Sequence, residues 1–141
     1  IEFNCRFGDP ETQPIMMRLK SDLVELCLAA CHGSLKQQTA EWDDRVSLGV
    51  VLAADGYPGS YSSGEIIRNI PQPCDNGKVF HAGTSVDAEG NICSSGGRVL
   101  CAVGLGADLR EAQKVAYQLV EEIDWKSAYY RTDIGFKGLD N

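Results

Sequence analysis

The chain has 141 residues, a length that suits one domain, or one domain with an appendage, and that is long enough to bury a real core. A net charge of -7 and a pI near 4.7 argue against a nucleic-acid binder, which needs a basic face. No stretch of eighteen apolar residues is present, and the N-terminus shows neither a basic nor an apolar leader region, so no membrane span or signal peptide is expected. The expected location is the cytoplasm.

Residues 1–7 read as a strand. Alternation places Glu2, Asn4 and Arg6 on one face and Ile1, Phe3, Cys5 and Phe7 on the other, apolar one. A carboxylate beside an amide oxygen offers hard ligands for magnesium, and a guanidinium one step on can grip phosphate in a fork. A half-buried strand with charges facing solvent would show the same spacing. Gly8-Asp9-Pro10 turns the chain.

Helices are expected over 12–19 and 22–32. Ser21 or Asp22 caps the second, Glu25 stands near the capping-box position, and Gly33 closes it with a positive φ. Its apolar stripe is Leu23, Leu26, Cys27 and Ala30. Residues 34–44 are polar and read as a linker. Val46 to Ala54 is an apolar run that reads as a buried strand. Gly56-Tyr57-Pro58-Gly59 is a loop, and 64–70 a short helix or an irregular bend. Lys78 to Val86 reads as one strand, 87–91 as a hairpin loop, and Ile92 to Leu105 as a strand interrupted at Gly96-Gly97. Asp108 and Glu111 form a capping box. Leu109, Ala112, Val115, Ala116, Leu119, Val120 and Ile123 then follow helical spacing to Asp124. A last strand is expected around 129–134. Residues from 42 onward thus make a small α+β unit, mostly antiparallel, with a packed helix.

The six cysteines sit mostly in apolar runs, and without a secretory signal buried reduced thiols are expected. Cys27 and Cys31 with His32 brush against a haem or zinc pattern, but the haem spacing is tighter by one residue and zinc would want a second ligand pair. Core packing is the expectation for them.

Asn4-Cys5-Arg6-Phe7-Gly8-Asp9-Pro10-Glu11-Thr12-Gln13 resembles the signature of the phosphoribosylamine–glycine ligase (GAR synthetase) family of the ATP-grasp superfamily. Gly56-Tyr57-Pro58-Gly59, Phe80-His81-Ala82-Gly83-Thr84, Gly96-Gly97-Arg98-Val99-Leu100 and Tyr130-Arg131-x-Asp133-Ile134-Gly135 are similar to its later blocks, in order. The resemblance implies the C-terminal portion of an ATP-dependent ligase of purine biosynthesis. Residues 1–41 would be the last elements of the ATP-grasp domain, and 42–141 the C-terminal domain. ATP, glycine and 5-phosphoribosylamine would be substrates and the rest of the enzyme the partner. The isolated piece would be inactive.

The resemblance also implies roles. Glu2 and Asn4 would hold Mg2+ (or Mn2+), and Arg6 would stabilise charge as the γ-phosphoryl group moves to the glycine carboxylate. Asp9 or Glu11 would hold the amino group of glycine or phosphoribosylamine, or would cap the helix near residue 12. Asp9 is carried as the substrate-binding candidate. Gly96 and Gly97 let backbone approach a ligand, with their amides as an anion nest, and Arg98 suits the ribose 5-phosphate. A bulge arginine paired to a surface carboxylate is the other reading of Arg98. His81 reads as structural, and Tyr57 either reaches a site or plugs a hydrophobic gap. The rival function is a stand-alone binding module for a phosphorylated small molecule or a partner protein.

Overall fold

A computed structural model describes residues 6–139. Glu2 and Asn4, and most of the strand expected over 1–7, lie outside them. Arg6 and Phe7 are described. Both are exposed and neither is in a strand, so Phe7 does not fill a buried face as expected.

Helix α1 (Thr12–Arg18) and helix α2 (Leu23–Cys31) fall where the pattern put them. Asp22 is the cap of α2, its carboxylate accepting from the Val24 and Glu25 amides at 2.7 and 3.3 Å. Ser21 instead ties the linker back, accepting from the Glu41 amide at 2.8 Å. Gly33 closes α2 at φ +69°. The linker contains one 3-10 turn, Leu35–Gln37.

The centre is a four-stranded antiparallel sheet. It contains β1 (Val46–Ala54), β2 (Gly77–His81), β5 (Arg98–Gly106) and β6 (Ala128–Tyr129), in the order β2-β5-β1-β6. Strands β3 (Thr84–Val86) and β4 (Ile92–Ser94) form a separate hairpin. The strand expected over 78–86 is therefore two strands, as is the one over 92–105. Both break at the same place. A Cβ on Gly83 would lie 2.8 Å from the Gly96 Cα, and the Gly83 carbonyl accepts from the Ser95 and Gly96 amides at 2.7 and 3.1 Å. The two segments cross backbone to backbone there and change sheets.

Helix α3 (Leu109–Glu122) begins on a reciprocal capping box. Asp108 accepts from the Glu111 amide at 2.8 Å, and Glu111 accepts from the Ala107 amide at 2.6 Å. Its stripe of Ala112, Val115, Ala116, Leu119 and Val120 covers one sheet face and meets Leu48, Val50, Leu52 and Val79 in the core. Approach is close because Gly104 and Gly106 on β5 oppose Ala112 and Ala116.

Helix α1 lies across the other face, where a Cβ on Gly49 would stand 3.0 Å from Pro14 Cγ and the Ser47 hydroxyl donates to the Pro14 carbonyl at 3.0 Å. Residues 64–70 are irregular, held by bridges from Ile66 to Cys93 and from Arg68 to Asp124. The final strand is only Ala128–Tyr129, earlier than expected, and a short helix, α4 (Phe136–Leu139), follows.

Candidate functional site

Arg98 is the first residue of β5, and the sheet geometry aims it. The β1–β5 register slips between Leu52 and Ala53, so Leu52 pairs with Leu100 and Ala53 with Arg98, leaving Val99 as the extra residue of a bulge. A bulge re-aims the side chain beside it. Arg98 thereby shares the face of Gly49, Val51 and Ala53, and these residues floor a pocket of ≈ 240 Å³. Tyr57, Tyr129, Tyr130 and Ile134 form much of its wall, and Arg131 and Pro10 also line it.

Asp9 pairs with Arg98, with 2.8 Å between Nη2 and Oδ2. The pair is substantially exposed, at 43% and 58% for the two side chains. A pair in that setting contributes about 0–1 kcal/mol to stability. This is the arrangement given above as the other reading of Arg98, a bulge arginine paired to an exposed carboxylate.

Tyr57 lies beneath the arginine, 5.9 Å from the guanidinium carbon to the ring centroid. The ring rests on Gly97, where a Cβ would fall 2.1 Å from Tyr57 Cδ2. The Gly96 amide is engaged by Gly83, so the pair of glycines serves close packing more than it offers free donors. Gly97→Ala is expected to displace the Tyr57 ring. A Tyr57 ring resonance unchanged by NMR in that variant would show that the ring does not rest there.

The sequence blocks around Asp9, Tyr57, Arg98 and Arg131 thus converge on one pocket. Other expected residues are placed elsewhere or are not described. Arg6 is exposed and donates to the Phe7 carbonyl at 3.1 Å. Glu11 occupies the N-cap position of α1 without a side-chain cap hydrogen bond, and its carboxylate curls over Gly8. Asp9 is spent on Arg98, so neither acid caps the helix through its side chain. His81 makes a 3.2 Å contact with the Thr84 hydroxyl through Nδ1, a local link at the end of β2. Among the described residues no three His, Cys, Asp or Glu side chains are grouped to hold a metal ion.

Sequence reasoning did not single out Arg131 by itself. It forms a two-bond fork with Asp133 at 2.8 and 2.7 Å, which holds the Asp133 carboxyl below the usual carboxylate range. The loop carrying both is fixed to α3. The Tyr117 hydroxyl donates to the Arg131 carbonyl at 2.7 Å and accepts from the Ile134 amide at 3.1 Å, and Gln113 donates to the Ile134 carbonyl at 2.7 Å. The available signal was the Tyr130–Gly135 block.

Glu65 was also missed. It accepts from Trp125 Nε1 at 3.0 Å and from the Ser127 hydroxyl at 2.6 Å, clamping the irregular 64–70 segment to the chain after α3.

The thiols need a correction. Cys93 and Cys101 are buried as expected, and burial, with Asp9 nearby, pushes the Cys101 thiol up to about 12. Cys27, Cys31 and Cys74 are exposed. The helical stripe of α2 has no core beneath most of it in this structure.

Residues 47–137 match the family described as phosphoribosylglycinamide synthetase, C domain. The chain belongs to that family. It is 59% identical over 141 residues to a phosphoribosylamine–glycine ligase of Salmonella typhimurium, covering 99% of this chain and 33% of that protein. The corresponding ligase of Escherichia coli K12 is 56% identical with the same coverage. A crystal structure of the Thermotoga maritima phosphoribosylamine–glycine ligase superposes with a TM-score of 0.81 at 35% identity, covering 96% of this chain and 33% of that one. The chain therefore spans about a third of the length of the curated relatives it matches. These findings give no support to a stand-alone binding module. No described helix is long and apolar enough to cross a membrane.

Proposed function

We propose that this chain is the C-terminal portion of an ATP-dependent ligase that joins glycine to 5-phosphoribosylamine, giving glycinamide ribonucleotide, ADP and phosphate. The observation that carries this is identity of 59% along nearly the whole segment to an enzyme of that name. In this reading residues 1–41 are the last elements of the ATP-grasp domain and 42–141 the C-terminal domain, in a cytoplasmic enzyme.

The chemistry follows from the bonds exchanged. Glycine carboxylate takes the γ-phosphoryl group of ATP, giving glycyl phosphate and ADP. The amine of phosphoribosylamine attacks the activated carbonyl, phosphate leaves, and the amine loses a proton. Such steps ask the protein mainly for positioning and electrostatics. Arg6 is assigned to the charge that develops on the moving phosphoryl group. Arg98 is assigned to the ribose 5-phosphate, with the Gly97–Tyr57 contact holding it in place. Asp9 occupies Arg98 until the phosphate arrives, and is then released toward the substrate amine.

Glu2 and Asn4 supply the oxygen donors a hard divalent cation takes, and magnesium bound there would neutralise phosphate charge. The segment alone is expected to release no ADP on addition of glycine. Glycine-dependent ADP release by the purified piece would refute the reading.

Arg98→Ala tests the phosphate assignment. A lost charge-assisted contact is worth about 1.5–3 kcal/mol, or about ten- to a hundredfold in binding. In the full-length ligase the variant should raise KM for phosphoribosylamine by that factor and leave those for ATP and glycine nearly unchanged. If all three rise together, Arg98 holds a domain interface instead. If none moves, it is a surface arginine.

A further inference from the structure

Helix α2 has the sequence Leu-Val-Glu-Leu-Cys-Leu-Ala-Ala-Cys, and Glu25 is its sole charged residue. A helix apolar on every side belongs in an interior. Here Ala29 is its only buried residue, while Val24 is 64% exposed and Leu28 45%. Cys27 and Cys31 are exposed as well. Residues 24, 27, 28 and 31 have the spacing i, i+3, i+4 and i+7, so these four exposed side chains make one continuous stripe.

A second observation points the same way. A nine-residue helix is too short to be stable by propensity and needs tertiary packing. Among the described elements, the one α2 meets most is the 3-10 turn over Leu35–Gln37. The packing that α2 requires is absent from the described residues.

We propose that the Val24–Cys27–Leu28–Cys31 face of α2 is an interface covered by an apolar face of the same ligase chain, contributed by the part outside this segment. This rests on the reading of the segment as part of a longer ligase. Relatives as much as 59% identical are about three times the length of this segment, so in that reading a covering surface of ample size lies on the same chain. The stripe itself carries no charge, which fits an apolar partner and not a charged ligand. A second copy is the weaker occupant, because two chains of net charge -7 repel at long range.

The test is native-state maleimide labelling of the full-length ligase, read thiol by thiol by mass spectrometry. Each rate is compared with that of the same thiol in urea-unfolded enzyme. Cys27 and Cys31 are expected to label at least about tenfold more slowly in the native enzyme at every protein concentration, as buried Cys101 does. Val24→Asp should release both thiols while Cys101 stays protected.

Labelling of wild-type Cys27 and Cys31 at their unfolded rates would overturn the proposal, and this arm needs no variant. Protection that vanishes on dilution would assign the face to a second copy and overturn it too. Ligase activity of the same preparation keeps the two readings apart. Active enzyme with freely labelled thiols rejects the interface alone, and inactive enzyme with protected thiols rejects the function alone.

Discussion

Gly104→Ala is expected to lower the melting temperature of the C-terminal unit by about 10 °C, the shift that about 3 kcal/mol produces in a domain of this size. Gly104 sits mid-strand in β5, paired with Leu48 on one side and Gly77 on the other. An added methyl would lie 2.3 Å from the Ala112 carbonyl oxygen and 2.6 Å from the Ala116 nitrogen. Both are backbone atoms of α3, so no rotamer change can make room. Either the helix lifts off the sheet or the strand bows. Overpacking of a tight core costs about 1–3 kcal/mol, and a collision with backbone belongs at the upper end. Total stability of about 5–15 kcal/mol leaves little in reserve. Calorimetry or thermal circular dichroism on the full-length ligase gives the answer. A shift below about 2 °C, corresponding to roughly 0.5 kcal/mol, would mean that β5 and α3 do not touch through backbone.

Glu2→Ala and Asn4→Ala are each expected to lower turnover of the full-length ligase by about a hundredfold or more, because a metal ion at phosphate supplies several kcal/mol of transition-state stabilisation. Each variant deletes one oxygen donor and should also raise the magnesium concentration needed for half-maximal rate. The motivation is the Glu-x-Asn-x-Arg spacing, which suits hard-cation ligation followed by a phosphate-gripping guanidinium, inside a segment that matches ligases along its length. Melting temperatures should stay close to wild type. Near-normal rates at low magnesium in both variants would reduce the three polar residues to a solvated strand face.

Elements whose causes are local were legible in the sequence. The run Val46–Ala54 is apolar at nearly every position because a central strand is covered on both faces. Helix α3 announced itself through Asp108, Glu111 and a 3.6-residue stripe, and Asp22 marked the start of α2. The double break at Ala82-Gly83 and Ser95–Gly97 was not legible as a change of sheet. Its cause is Gly83 meeting Gly96, a contact between distant parts of the chain. The thiols of α2 were misread for a related reason: apolar spacing reports that a face is to be covered, and nothing in the helix says by what.

At the site, the blocks around residues 9, 57, 98 and 131 were visible one by one. Their convergence depends on the slip at Leu52/Ala53, which no local signal carries.

The position of Arg98 at the head of β5 has a consequence in time. From Val99 to Gly106 every residue of β5 is buried, and the strand is hydrogen-bonded on both sides. Amides in such a strand exchange with solvent only when the whole unit opens, whereas surface turns open by local fluctuation. The companions of the arginine are of the second kind: Asp9 belongs to an exposed turn, and Tyr57 to a glycine-bounded loop. Arg98 is thus anchored through its backbone at the head of a fully buried strand, whereas Asp9 and Tyr57 are carried by a turn and a loop. The amides of Val99–Gly106 are therefore expected to outlast those of the turns around Asp9 and Tyr57 in hydrogen exchange.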